Sequence, residues 1–213
     1  MNSPIHFDPD CDSCPRLAAF LAGIRREYPT YHARPVEPFG DPEPRLLIVG
    51  LAPGMHGANA TGRPFTGDYA GILLYETLHR FGFSNQAVSV ARDDGLVLHG
   101  CRITNAVKCL PPQNKPVGSE VNRCNGYLRT ELADLGEGAV ILALGAVAHR
   151  AVVRALGLRM KDYPFGHCQK FALEGERWLI DSYHCSRYNT QTRRLTEGMF
   201  HDVFREIEKL LAA

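Results

Sequence analysis

The sequence predicts an α/β fold: a three-layer sandwich whose central sheet is mainly parallel and roughly four-stranded. Three observations predict it. Short strand-like runs recur at 45–52, 102–107 and 139–145. Stretches with helical periodicity separate them, so crossovers rather than tight turns join the strands. The first and third runs are apolar at nearly every position, as in strands covered on both faces. With 213 residues, 45% of them hydrophobic, a single domain spanning 1–213 is expected, and a disordered chain is excluded. There is no internal repeat and no low-complexity segment.

Each element has its own reason. Residues 15–28 read as a helix because Leu17, Phe20, Leu21 and Ile24 recur on one face. The proline-rich stretch 29–44 reads as an irregular connector. The run 45–52 is the first buried strand. A glycine-rich loop, 53–68, leads into a helix over 69–81. In the second strand, 102–107, Ile103, Asn105 and Val107 alternate with Thr104 and Ala106. A helix over 119–135 opens near Ser119 and Glu120, residues suited to a helix start. Ala139 to Gly145 is the clearest buried strand, followed by a helix over 146–156. The segments 171–173 and 177–181 flank Glu-Gly-Glu and read as a pair of strands. A last helix is expected over 191–211, with Phe200, Val203, Phe204, Ile207 and Leu210 on one side.

Composition narrows the function. Lys plus Arg is 24 and Asp plus Glu is 23, so global charge gives no argument for nucleic acid, and any such contact must come from local clustering. No apolar run approaches the roughly 20 residues of a membrane helix, and the start lacks a basic-then-apolar leader pattern. A cytoplasmic protein without a membrane partner is expected. The cysteine count of seven is odd, which argues against a disulfide framework and for a metal site. Cys11 and Cys14 form C-x2-C, and Cys109 and Cys124 form C-x14-C. Thiolates grouped this way suit zinc or an iron–sulfur cluster.

Three segments carry candidate chemistry, at the C-terminal ends of strands, where open α/β sheets bind ligands. The first is Gly50 to Asp68, with five glycines that admit close backbone approach. It lacks the closing Gly-Lys-Ser/Thr of a P-loop and is not a dinucleotide fingerprint. By spacing, Asp68 equally suits a helix N-cap. The second is Ile103 to Cys109. An amide such as Asn105 on a central strand is expensive if unpaired, and it can read a base edge with its adjacent donor and acceptor. The third is Asp181 to Thr190. His184, just past a strand, can donate to developing negative charge. Ser186, Asn189 and Thr190 can bond phosphates, and Arg187, Arg193 and Arg194 add local positive charge. Cys185 beside His184 raises the alternative of a thiol or metal-dependent hydrolase of small nucleotides. A zinc-bound nucleic-acid module without catalysis is a further alternative.

Taken in order, these segments resemble the uracil-DNA glycosylase superfamily, and most closely its family 5 members. Gly-Leu-Ala-Pro-Gly-Met-His-Gly-Ala-Asn-Ala-Thr-Gly-Arg-Pro-Phe-Thr-Gly-Asp is similar to that family's first motif throughout. His184-Cys-Ser stands where relatives carry His-Pro-Ser, followed by Arg-x-Asn-Thr. The resemblance spans Cys11 to about Thr196. It implies the glycosylase fold and a monofunctional enzyme of base excision repair. That enzyme would hydrolyse the N-glycosidic bond of uracil, and of hypoxanthine and xanthine, in double- or single-stranded DNA, as a monomer. It implies a 4Fe–4S cluster on Cys11, Cys14, Cys109 and Cys124. It casts Asp68, Asn105 and His184 as catalytic and Phe65 as the platform under the base. Gly50, Ala52, Pro53, Gly54, Met55, His56 and Gly57 would line the substrate site, with Ser186, Arg187, Tyr188 and Asn189. Arg187 and Tyr188 would also fill the vacated base stack. Better-known relatives place an acidic or amide residue where Ala52 stands, and a thymine-excluding tyrosine near Gly54 and Met55. Its loss implies a roomier pocket, and the missing polar residue leaves Asp68 to position water or stabilise the cationic sugar.

Overall fold

A computed structural model describes residues 5–212; the first four residues, which open the stretch read for a leader, and Ala213 lie outside it. Helix α1 (Pro15–Glu27) opens on a proline, whose missing N–H is harmless in a first turn, and ends on Arg25 and Arg26 at the negative end of the helix dipole. It buries Leu17, Leu21 and Ile24. Strand β1 (Phe39–Gly40) precedes β2 (Leu46–Gly50). The short α2 (Ala58–Thr61), α3 (Tyr69–Arg80), β3 (Cys101–Asn105), α4 (Gly118–Ala133), β4 (Val140–Leu144) and α5 (Ala146–Ala155) follow. Strands β5 (Lys170–Ala172) and β6 (Trp178–Ser182), then α6 (Arg187–Gln191) and α7 (Glu197–Ala212), complete the chain.

The sheet runs β1-β3-β2-β4-β6-β5. Its centre, β3-β2-β4-β6, is the expected parallel set of four strands; β1 and β5 add antiparallel edges and bring the total to six. The pleat sends alternate residues to opposite faces. Leu46, Ile48, Ile103, Val140, Leu142 and Ile180 pack on one side with Leu74 and Leu78 of α3 and Phe200 and Phe204 of α7. Leu47, Val49, Ile141, Ala143 and Leu179 pack on the other with Leu128 and Leu132 of α4 and Ala148 and Val152 of α5. Two helical layers therefore enclose the sheet, and four strand ends open together at one rim.

Three expectations need correction. The connector 29–44 holds β1, which two residues in a proline-rich stretch do not announce. The loop 53–68 holds the single helical turn α2. The last helix begins at Glu197, not near Gln191. Arg193 sits at φ +57°, a left-handed conformation that no helix continues through, and it separates α6 from α7. At α4 the first helical residue is Gly118, beside the expected Ser119, and Val117 is the N-cap. The Glu120 carboxylate accepts the Val117 N–H at 2.8 Å, half of a capping box.

Candidate functional site

At the rim, the loops after β2, β3, β4 and β6 surround a cavity of about 590 Å³. The expected residues Ala52, Gly54, Phe65, Asp68, Asn105, His184, Ser186, Arg187 and Asn189 line it. Phe65 is nearly buried and held at φ +56°, a strained conformation for an aromatic residue that its surroundings must enforce. The Tyr75 hydroxyl donates to the Pro64 carbonyl at 2.7 Å. The buried Arg63 guanidinium grips Asp94 with two hydrogen bonds, at 2.8 and 2.6 Å, and also donates to Thr66 and Ser89. Arg63 holds the Asp94 carboxyl far below the ordinary carboxylate range, so this clamp persists in acid. Gly71 completes the fit: a Cβ there would stand 1.8 Å from the Phe65 carbonyl oxygen.

Asn105 is the last residue of β3, opposite Gly50 in the parallel ladder. It is 3% exposed, and its Oδ1 has no hydrogen-bond partner within the protein. An unpaired buried amide oxygen costs about 1–3 kcal/mol, and here it belongs to a cavity-lining residue. Gly50 does not line the cavity but makes it possible. A Cβ at 50 would lie 2.4 Å from Asn105 Oδ1 and 2.7 Å from the Phe65 ring.

Asp68 occupies the N-cap position of α3, yet its side chain makes no cap hydrogen bond. Instead Oδ2 accepts the Ala58 N–H at 3.2 Å. The carboxylate fits only because positions 54 and 57 are glycine: a Cβ would come within 2.5 Å of it at 54 and 2.0 Å at 57. Burial raises the Asp68 pKa, with the Ala58 amide and His56 opposing. His184 stacks on Phe65, ring centroids 6.0 Å apart and 25° from parallel. Burial pushes its pKa down to about 4, so the imidazole is neutral near pH 7. Its Nδ1 is buried without a partner, and its backbone carbonyl accepts from the Asn189 amide at 2.8 Å.

Other expected residues face elsewhere. Met55 packs with Leu21, Ile24 and Leu110 beneath α1. His56 is exposed and pairs with the Tyr31 hydroxyl at 2.9 Å. Pro53 is buried outside the cavity lining, and Tyr188 is 72% exposed beyond it. Cys185 is fully buried and absent from the cavity wall, and burial pushes its thiol up to about 12. That protonation state and placement correct the alternative of a thiol nucleophile. Arg194, expected to add positive charge, also lines the cavity; sequence reasoning missed Tyr69, Asn114, Gly145, Phe165 and Tyr183, which line it too. Asn114 follows Gln113, both at positive φ in a proline-flanked turn; the Pro-Pro-Gln-Asn-Lys-Pro run was the one signal that marked this turn. Phe165 comes from the long connection before β5, where nothing in the local pattern distinguishes a cavity wall from a loop.

Cys11, Cys14, Cys109 and Cys124 line a second cavity of about 190 Å³. The Cys124 sulfur accepts the Lys108 N–H at 3.3 Å. Among the described residues no three His, Cys, Asp or Glu side chains close on a single-ion site.

The fold is an α/β sheet with an aromatic- and amide-lined cleft at its parallel strand ends, the place where proteins of this class bind ligands. Comparison with known proteins gives the family. The sequence profile of the uracil DNA glycosylase superfamily matches residues 37–208. A type-5 uracil-DNA glycosylase of Thermus thermophilus is 47% identical over 94% of this chain and 93% of its own. One from Pyrobaculum aerophilum is 42% identical over 92% and 87%. A type-4 uracil-DNA glycosylase of Pyrobaculum aerophilum is 37% identical over 70% and 63%. The chain belongs to the uracil DNA glycosylase superfamily, among its type-5 members.

Proposed function

We propose that the protein removes uracil, and with it hypoxanthine and xanthine, from DNA by hydrolysing the N-glycosidic bond of a base swung into the 590 Å³ cavity. One observation carries this reading: Phe65, Asp68, Asn105 and His184, from three separate segments, line a single cavity. The type-5 relatives, named for uracil-DNA glycosylase activity, support it. The base stacks on Phe65, a contact worth about 1–3 kcal/mol by analogy with other base–aromatic stacks. Asn105, with its amide oxygen unpaired, bonds the base edge. As the bond breaks, negative charge grows on the leaving base. Neutral His184 and the loop amides donate to it, one such donor contributing about 2.7–4 kcal/mol. Asp68 faces the oxocarbenium-like sugar or its attacking water. Arg187 and Tyr188 fill the vacated stack; Arg187 lies over the Tyr69 ring at 5.8 Å and Tyr188 stands free in solvent. The small Gly54 region underlies the wider base range.

The four cysteines fit a 4Fe–4S cluster: four soft ligands stand around a void rather than meeting at a point, which suits a polynuclear group better than a single ion. When bound, the cluster cross-links the start of the chain to the segment after β3, and no step of excision uses it. In this reading the chain acts as a one-domain monomer in the cytoplasm; all seven cysteines are free, as a reducing compartment requires. No helix among the described residues is long and apolar enough to cross a membrane. The deciding experiment incubates the protein with single- and double-stranded oligonucleotides carrying uracil, hypoxanthine or xanthine, then cleaves abasic products with alkali. Cleavage at uracil is expected, with activity on the other two; uracil-only activity removes the wider range, and no abasic product removes the function.

A further inference from the structure

A buried pair behind the cavity has no part in the chemistry above. Asp181, the penultimate residue of β6, is fully buried. Its Oδ1 lies 2.8 Å from Nδ1 of His149 on α5, also buried, and its Oδ2 accepts the Gly166 N–H at 3.4 Å. The other ring nitrogen of His149 meets the Tyr163 carbonyl at 2.8 Å. A carbonyl only accepts, so Nε2 carries a proton, and a second proton lies between Nδ1 and the carboxylate. Burial alone would lower the His149 pKa; the Asp181 carboxylate and then the Tyr163 carbonyl outweigh it and raise it.

Every side-chain hydrogen bond of this pair outside itself goes to one segment, 163–166. Phe165 lies inside that segment, its ring edge-on to the His149 imidazole at 5.6 Å, and it lines the main cavity. The next residues continue the pattern. His167 accepts the Tyr183 N–H at 3.2 Å and stacks on the Tyr183 ring at 4.9 Å, and Tyr183 lines the same cavity. The Asp181 backbone pairs with the residues that follow the segment, Cys168 at 2.8 Å and Gln169 at 3.0 Å. A buried ionisable pair is a poor device for stability, since well-packed apolar residues of similar volume often serve as well. Its value lies in direction: it accepts and donates at fixed points, where an apolar contact would let the segment slide.

We propose that His149 and Asp181 are positioning residues that latch segment 163–167 and thereby hold the Phe165 ring as a wall of the base cavity. The proposal rests on the glycosylase reading only for what the cavity holds. The latch itself is tested without any reaction, by amide hydrogen exchange in wild type, His149→Gln and the nearly isosteric Asp181→Asn. The Gly166 amide is expected to exchange at least about tenfold faster in both variants while β4 and β6 stay protected. An unchanged Gly166, or a uniform acceleration across the sheet, overturns the latch; should His149→Gln fail to fold, Asp181→Asn decides alone. The link to the site is tested by a double-mutant cycle on single-turnover uracil excision. His149→Gln and Phe165→Ala should each slow it roughly ten- to a hundredfold, and the double variant should be no slower than Phe165→Ala. Additive losses, or wild-type speed in His149→Gln, overturn the positioning role. If wild-type protein excises no base, the glycosylase reading falls while the exchange result still decides the latch.

Discussion

At the scale of single residues, two side chains carry the proposed chemistry in forms that burial selects. Asp68 has its pKa raised by burial, and a carboxylate that aids excision does so only when ionised. Single-turnover excision should therefore fall on acidification through a value above the usual 3.8. Asp68→Ala should lose about 100-fold or more in rate, a loss of roughly 2.7 kcal/mol, while binding of abasic DNA persists. Unchanged excision in the variant rejects the role. His184 titrates in the opposite sense. Its folded-state pKa, about 4, lies below its ordinary 6.5, so between those values the unfolded chain binds the extra proton. Stability is complete above pH 6.5 and falls as pH drops toward 4. The contribution is on the order of 3 kcal/mol at full burial and less where water reaches the ring. Denaturant titrations at pH 7 and pH 4.5 should show a smaller loss in His184→Gln than in wild type; equal losses refute the assignment. Residues of this kind were legible because they sit in the glycine-rich or polar runs that follow strands. Phe165 and Tyr183 were not, since an aromatic residue beside a strand reads equally as core until the chain's return path is known.

At the scale of elements, the long periodic segments were readable and the short ones were not. Strands β2 and β4 are apolar throughout and α3, α4 and α5 follow helical spacing, so their bounds fell within a few residues of expectation. Strand β1 exists only because β3 offers it an edge: its two residues pair with Arg102 and Ile103, a tertiary fact without local signal. The division of α6 from α7 turns on one left-handed residue, Arg193, which the sequence marks with neither glycine nor proline. The glycine loop around α2 shows the converse, where composition is informative but its purpose is geometric. Gly57 has a negative φ of −107°, so the left-handed region is not what calls for glycine there. Its methyl would instead displace the Asp68 carboxylate, 2.0 Å away. Gly57→Ala should therefore reproduce most of the excision defect of Asp68→Ala, measured per folded molecule. A full-rate Gly57→Ala would mean that Asp68 can act from another position or does not act.

At the scale of the whole molecule, the parallel sheet brings the four strand ends together, and the four cysteines around one cavity come from the start of the chain, from the segment after β3 and from α4. Only Ala106, Val107 and Lys108 separate Asn105 from Cys109. That stretch is stitched to the loop after β2, by Ala106 N–H to the Gly50 carbonyl at 2.9 Å and Val107 N–H to the Leu51 carbonyl at 3.0 Å. Within it Lys108 is buried and paired with Glu131 at 2.6 Å and with Thr104. A cluster bridging Cys109 and Cys124 to Cys11 and Cys14 would close a loop of about a hundred residues, and metal binding of this kind is folding free energy. Removing one ligand by Cys124→Ala should abolish the brown colour of the protein and lower its melting temperature by several degrees, as a loss of a few kcal/mol does at this size. If the cluster is a brace and not a reactant, excision per folded molecule should fall mainly through misplacement of Asn105, by less than the loss in Asp68→Ala. Redox titration of wild-type protein separates the two roles. Excision that stays level while the visible spectrum bleaches fits the brace, whereas excision that follows the bleaching, with circular dichroism unchanged, makes the cluster part of the reaction.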